Sequence, residues 1–230
     1  MSKILASIKN ISEAKILIDT EIDIIDLKDP SNGALGKLEN NDIKDIISFI
    51  DKKKLTSSTI GDLPNNKDLI SEIVGELSNT DVDFIKIGVY ENNYINTLSK
   101  IKSCKKLIAV FFADKFLPTN EEILILKKSG FSGVMIDTSN KNSGNLFNHV
   151  SDIDVHNFIL NAKNLNLLTG IAGSINSSHI NQIVKLNPNY MGFRGALCED
   201  KKMRSSKISA TNVNNIVHLV KISKNVIINA

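Results

Sequence analysis

The sequence predicts an α/β protein built as a single-domain TIM (β/α)8 barrel, and three observations carry that prediction. Eight short β-rich runs alternate with amphipathic stretches along the chain. The 230 residues suffice for one such barrel. No Pro- or Gly-rich linker divides them: Pro30, Pro64, Pro118 and Pro188 all fall between predicted elements. One domain over 1–230 is therefore expected. The rival, an open doubly wound sheet, would show fewer strands and a glycine-rich first turn, and Ile8-Lys9-Asn10 holds no glycine.

Taken in order, the predicted strands are Lys3–Ile8, Ile22–Lys28, Leu55–Ile60, Phe84–Tyr90, Leu107–Ala113, Gly133–Thr138, Leu167–Gly173 and Tyr190–Gly195. Each is a short apolar or β-branched run bounded by turn formers. Between them lie helical periodicities. Ile11–Thr20 places Ile11, Ala14 and Ile18 at helical spacing, and Asp42–Ile50 repeats Ile43, Ile46, Ile47 and Ile50. Asn120–Ser129 carries Ile123, Leu124 and Lys127, and Ser177–Leu186 carries Ile180, Ile183 and Val184. Ser12 with Glu13, Thr119 before Glu121-Glu122, and Ser151-Asp152 read as helix starts.

Composition narrows the function. Hydrophobic residues make up 42% of the chain, enough for a full core without disulfides. Cys104 and Cys198 are far apart and in no metal-ligand spacing, which favours a reducing, cytoplasmic setting. No apolar run approaches the roughly 18 residues of a membrane span, and Met1–Asn10 lacks the layout of a signal peptide. Net charge is +3, with lysines scattered among acids as on a solvated surface, and Lys52–Lys54 sits at a helix-to-strand junction. Aromatic content of 5% and the lack of a basic stripe argue against nucleic acid as a partner. Of 28 basic residues only Arg194 and Arg204 are arginines, so an arginine at a strand end draws notice.

The polar residues inside the strands point to chemistry. Side chains alternate between the faces of a strand. On the second strand Ile22, Ile24, Asp26 and Lys28 share one face, with Ile25 and Leu27 on the other. If the first face is the barrel interior, Asp26 and Lys28 are its last two steps at the C-terminal mouth, where barrel enzymes hold their active sites. Phe84, Lys86 and Gly88 likewise share a face, so Lys86 also enters the barrel. Asp114 follows the fifth strand, Asp137 ends the sixth with Lys141 beyond it, and Arg194 ends the eighth. Seven ionisable residues thus converge on one rim. Taken singly, a strand-end Asp is usually a cap and a strand-end Lys usually reaches to water. Taken together, two lysines in apolar runs suit carbonyl chemistry: one a Schiff-base nucleophile, the other a proton shuttle. A lysine in a low-dielectric site beside another cation loses affinity for its proton and becomes a free amine.

Phosphate handling is also expected. Gly170-Ile-Ala-Gly-Ser174 and Gly192-Phe-Arg-Gly195 supply small residues and backbone N–H groups after strands seven and eight, where barrels often bind phosphate. Gly173, Ser174, Arg194 and Gly195 are the candidates, although tight turns need such glycines anyway. Ser57 and Thr59 face one way on the third strand and are expected to line the pocket, while Ser58 faces a helix. His149, His156, His179 and His218 show no paired metal spacing and read as surface residues. Cys198 lies near the mouth with no evident base.

Several segments, in order along nearly the whole chain, carry a family resemblance. They are Asp26-Leu-Lys-Asp-Pro-Ser-Asn-Gly-Ala-Leu-Gly36, Thr59-Ile-Gly-Asp-Leu-Pro64, Phe84-Ile-Lys-Ile-Gly-Val-Tyr90, Met135-Ile-Asp-Thr138 with Lys141, Ala172-Gly-Ser174 and Phe193-Arg-Gly-Ala196. Together they resemble the (5-formylfuran-3-yl)methyl phosphate synthases, which make the furan phosphate precursor of methanofuran. The resemblance implies a TIM-barrel lyase that condenses two molecules of glyceraldehyde 3-phosphate to 4-(hydroxymethyl)-2-furancarboxaldehyde phosphate, with loss of phosphate and water. It implies Lys28 as the Schiff-base lysine and Lys86 as the proton acceptor, with Asp26, Asp137 and Lys141 at further active-site positions. Asp114, Thr59 and the glycine segments are expected to bind substrate. No metal or organic cofactor is implied, because the iminium itself is the electron sink. A triose phosphate is the expected partner, with neither nucleic acid nor membrane, and a homo-oligomer is expected.

The segment Cys198–Ser206 departs from the family's glycine-rich, Asp-Arg-containing pattern, with Arg204 or Lys201 as available substitutes. The loop Gly61–Lys67 and the segment between strands four and five are short. Two rival readings remain: another Schiff-base aldolase or dehydratase on a phosphosugar, and a non-catalytic barrel that binds a phosphorylated metabolite.

Overall fold

In the computed structural model, which describes residues 2–228, eight parallel strands close into a barrel in chain order. They are β1 (Lys3–Ile8), β2 (Ile24–Leu27), β3 (Leu55–Thr59), β4 (Phe84–Val89), β5 (Lys106–Phe112), β6 (Gly133–Asp137), β7 (Leu168–Ile171) and β8 (Tyr190–Phe193). β1 pairs with both β2 and β8, which removes every open sheet edge. β1 matches its prediction, β5 starts one residue earlier than predicted, and the other predicted strands run one to two residues long at their ends, where the ladder gives way to loops. Lys28 falls just past β2, yet its N–H still donates to Ile8 O at 3.0 Å.

The helices are α1 (Ile11–Leu17), α2 (Asn40–Ile50), α3 (Lys67–Ser78), α4 (Tyr94–Leu98), α5 (Asn120–Lys128), α6 (Asp152–Asn164), α7 (Ile180–Leu186) and α8 (Ala210–Ile228). A 3₁₀ turn at Ser177–His179 precedes α7. Thr119 caps α5 with Glu122 in a reciprocal capping box, and the Ser151 hydroxyl caps α6. α1 corrects the expectation for Ser12: its cap is Asn10, whose side chain accepts from Glu13 N at 3.0 Å. That frees the Glu13 carboxylate for the barrel wall.

Strand alternation divides the core into two layers. Outward residues such as Ile25, Leu27, Ile85 and Ile87 pack with the helices, and inward residues such as Leu5, Ile24, Phe84, Ile108 and Met135 fill the barrel. Fully burying one such side chain is worth about 2 kcal/mol, so these layers outweigh the cost of the few charges inside. Ser58 faces outward as expected, fully buried, and its hydroxyl has no hydrogen-bond partner.

Two clamps hold the loops around the mouth. The loop after β2 folds back so that Asp29 bridges Gly36. The Asp62 carboxylate accepts from the N–H groups of Ala34 and Leu35 at 2.6 and 2.8 Å and from the Tyr90 hydroxyl. Gly33 sits at φ +75, and any Cβ there would run into Asp62. Thr59 belongs to this clamp. It is fully buried and donates its hydroxyl to Gly36 O at 2.9 Å, so it braces the loop and its expected place as a substrate ligand is corrected.

Candidate active site

The inward faces of the first four strands build a polar layer in the middle of the barrel. Asp26 is fully buried and accepts from Ser7 Oγ at 2.8 Å and Ser57 Oγ at 2.6 Å. Lys86 Nζ lies 2.6 Å from Asp26 Oδ1, the oxygen that also accepts from Ser57. Burial alone would raise the Asp26 carboxyl, but Lys86 and then Lys28 outweigh it and hold the group below the usual range. Asp26 is therefore a fixed anion that anchors Lys86, and Ser57 lines this layer as expected.

One step nearer the mouth, Lys28 Nζ stands 3.8 Å from Asp137 Oδ2. Lys141 is ion-paired to the other oxygen of Asp137 and also donates to the Thr138 carbonyl. Burial is the main force that brings the Lys28 amine down, to about 7, with Asp137 opposing and Lys141, Lys86 and Arg204 adding to the fall. Burial likewise lowers Lys141, against the pull of Asp137. Asp137 itself is held far down: Lys141 and Lys28 overcome the effect of its own burial. The five residues Asp26, Lys28, Lys86, Asp137 and Lys141, drawn from β2, β4, β6 and the loop after it, thus form one cluster. An amine half-deprotonated near neutrality is a competent carbonyl nucleophile, and Lys141 beside it is a proton donor.

Above the cluster opens a cavity of about 910 Å³, whose lining includes Lys28, Lys86, Asp137, Lys141 and Arg204. Gly173, Ser174 and Gly195 lie on its wall, as expected for a phosphate site. Gly173 and Ser174 both take positive φ, at +103 and +51. A Cβ on Gly173 would press on Thr138 at 3.1 Å, so the tight turn needs glycine.

Arg194 is a correction. Its guanidinium offers five N–H donors, and all are taken: Nε by Arg204 O, Nη1 by Ser7 O and Glu13 Oε2, and Nη2 by Glu13 Oε1 and Ser206 O. No donor is left for a phosphate, and Arg194 instead ties the end of β8 to α1. Asp114 is a second correction. Its carboxylate accepts from the backbone N–H groups of Ser139 and Asn140 and from Ser139 Oγ, and so shapes the loop that carries Lys141.

Arg204 takes the place expected of Arg194. Among the described residues its guanidinium makes no hydrogen bond or ion pair, while its carbonyl accepts from Arg194 Nε. It is half-buried in the cavity wall, and its field reaches Lys28 and Lys141. Glu13, which orients the site, carried no functional signal in the sequence, and Asp62 appeared only inside a family motif without a role. Each is an acid in a turn or at a helix start, and only its distant partners reveal its task. Cys198 is buried, with its thiol against the carbonyls of Arg194, Arg204 and Ser206. Among the described residues no group of three His, Cys, Asp or Glu is placed to hold a metal ion, and no helix is long and apolar enough to cross a membrane.

The sequence profile of the 4-HFC-P synthase family matches residues 4–217. The chain belongs to that family. Similar proteins include the (5-formylfuran-3-yl)methyl phosphate synthases of Archaeoglobus fulgidus and Methanocaldococcus jannaschii. The first is 31% identical over 222 residues, covering 90% of this chain and 94% of the relative. The second is 29% identical over 233 residues, covering 95% and 99%. Among solved structures, 3-hexulose-6-phosphate synthase from Salmonella typhimurium superposes with a TM-score of 0.67 at 14% identity, covering 96% of this chain and 99% of that one. Phosphoribosyl anthranilate isomerase from Thermus thermophilus gives 0.68 at 11% identity, covering 96% and 98%. At such identities these likenesses speak for the barrel alone. As a member of the 4-HFC-P synthase family with a barrel-mouth cluster of this kind, the chain is an enzyme.

Proposed function

We propose that this member of the 4-HFC-P synthase family condenses two molecules of glyceraldehyde 3-phosphate to 4-(hydroxymethyl)-2-furancarboxaldehyde phosphate, with loss of one phosphate and of water. The observation that carries the reading is the Lys28 amine, brought down to about 7 by burial and set beside the Asp137–Lys141 pair. Lys28 attacks the aldehyde of one triose phosphate, water leaves, and an iminium forms. Lys86 removes the proton on the neighbouring carbon, and the electron pair stays in the resulting enamine. The enamine carbon attacks the second aldehyde. Lys141, held by Asp137, supplies protons to the oxygens that leave as water. Gly173, Ser174, Gly195 and Arg204 are the groups available to bind phosphate. Elimination of one phosphate and dehydration close the furan, water hydrolyses the remaining bond to Lys28, and aromatisation drives these late steps.

The names of the relatives support this product, and the cluster supports the lysine chemistry. Incubating the purified protein with glyceraldehyde 3-phosphate tests the reading. A near-ultraviolet furan chromophore should appear together with released phosphate. Borohydride added with substrate should trap Lys28, and Lys28→Ala should abolish the trapping. Trapping without a chromophore would move the reading to another Schiff-base reaction on a phosphosugar. Trapping that survives in Lys28→Ala would overturn the assignment of the nucleophile.

A further inference from the structure

A second cavity, of about 140 Å³, occupies the opposite, N-terminal end of the barrel. Its wall is mostly apolar, with Lys3 and Asn189 at the strand starts and Ser57, Lys86 and Tyr190 as the polar groups at its inner end. Lys86 and Leu5 line the mouth cavity as well, so their side chains together separate the two.

The inner end of this cavity holds donors that the protein does not satisfy. Once Lys86 has taken a proton its side chain carries three N–H groups, and among the described residues its partner is Asp26 alone. Tyr190 is 6% exposed, and its hydroxyl makes no hydrogen bond to a described residue. The ring has a built seat, because Gly170 on the adjacent strand has no side chain where the Tyr190 ring lies. Burial, and then the nearby Asp26 carboxylate, push the hydroxyl above its ordinary value, so it stays a donor. Buried donors with room beside them take water, and the cavity is several times the roughly 30 Å³ that one water occupies.

We propose that this lower cavity is a water-filled proton conduit from the N-terminal face of the barrel to Lys86, with Tyr190 as the residue that positions its inner water. The proposal rests on the reading of Lys86 as the group that takes the substrate proton. A phosphorylated substrate in the mouth shuts Lys86 off from water above. The proton lifted from carbon leaves its electron pair in the enamine and converts the Lys86 amine to ammonium. The ammonium passes that proton to the cavity water, and the water chain delivers it to bulk solvent past Lys3 and Asn189. Lys86 returns to the amine without waiting for the mouth to open.

Two substitutions test the conduit. Leu168→Phe narrows its outer end, and Tyr190→Phe removes the hydroxyl but keeps the ring. With glyceraldehyde 3-phosphate deuterated at carbon 2, release of deuterium to water in single-turnover experiments should slow about tenfold in each. That is less than the full contribution of a proton-transfer step, because deuterium held on Lys86 still escapes through the mouth once product leaves. KM and borohydride trapping of Lys28 should stay as in the unaltered protein. Unchanged release in variants that trap normally would overturn the proposal, and Tyr190→Phe, being nearly isosteric, decides if Leu168→Phe does not fold. If the unaltered protein neither traps nor releases deuterium, the reading of Lys86 fails on its own. The conduit is then judged by exchange of the Lys86 Nζ protons with water, followed by ¹⁵N-lysine NMR. Slower exchange in the variants supports the conduit, and equal exchange overturns it.

Discussion

Lys28 trades stability for reactivity, and the sign of that trade can be measured. Its folded value of about 7 lies below the 10.5 of an unperturbed amine, so between those values the native state binds fewer protons than the unfolded chain. Stability therefore rises with pH across that window. The cost of the buried cation is felt in full below pH 7 and is gone above about 10.5. Lys28→Met should raise the thermal midpoint most near about pH 6, with the gain shrinking toward about pH 10; an equal gain at both would contradict the depressed amine. Asp137 keeps Lys141 as its partner in that variant. The two arginines should separate by function. Arg204→Ala should raise KM for triose phosphate by roughly 30-fold, the loss of about 2 kcal/mol of charge-assisted hydrogen bonding, with the thermal midpoint little changed. If KM is unmoved, Arg204 does not hold phosphate. At this scale Lys28, Lys86, Asp26 and Asp137 were legible because a strand's two-residue period assigns each side chain to a face. Arg194 was misread because a strand-end guanidinium looks the same whether its donors are free or taken. Its acceptors are Glu13 and three carbonyls, and only folding gathers them.

The elements around the mouth are set by acids that act on backbone, not on substrate. Asp62 lies 28 residues from Ala34, yet it accepts from two successive amides of the loop after β2 and from Tyr90. Asp62→Ala should leave those amides unpaired and lower the cost of opening the loop by about 2 kcal/mol. Amide hydrogen exchange at Ala34 and Leu35 should then speed up by roughly 30-fold, while the β-strand amides hold their protection. Unchanged exchange would show that other contacts fix the loop. Asp114 does the same for the loop that carries Lys141, through Ser139 and Asn140. The sequence offered Asp114 as a substrate ligand and Asp62 only as part of a motif. It carries no signal for which remote loop each one holds, because a hydrogen bond from a carboxylate to a main-chain N–H asks nothing of the donor's residue type. Helices followed the same divide. Thr119 and Ser151 cap as read, since a cap is local, whereas α1 is capped by Asn10 and its Glu13 side chain pairs with Arg194.

The whole barrel is closed by β1 against β8, and one buried ion pair spans that seam. Glu13 and Arg194 are separated by 181 residues, and the carboxylate also accepts from Lys9 N at 2.9 Å. Glu13→Gln should leave a buried guanidinium without its counter-charge, at a cost of about 3–5 kcal/mol. In a domain of this size that corresponds to a fall of about 10 °C in the thermal midpoint. A smaller fall than about 2 °C would mean that the carbonyls around Arg194 suffice. The sequence by itself determined the barrel, its strand order and the inward direction of the lysines. Each follows from a local period: two residues for a strand, 3.6 for a helix, and a chain length that fits eight repeats. What only the tertiary structure decided is which polar groups meet. Both arginines reach the cavity wall but only Arg194 has its donors taken, Thr59 and Asp114 hold loops, and Lys86 lines two cavities. Those outcomes depend on contacts between residues far apart in the chain, and in such contacts the partner, not the residue's own neighbourhood, sets the role.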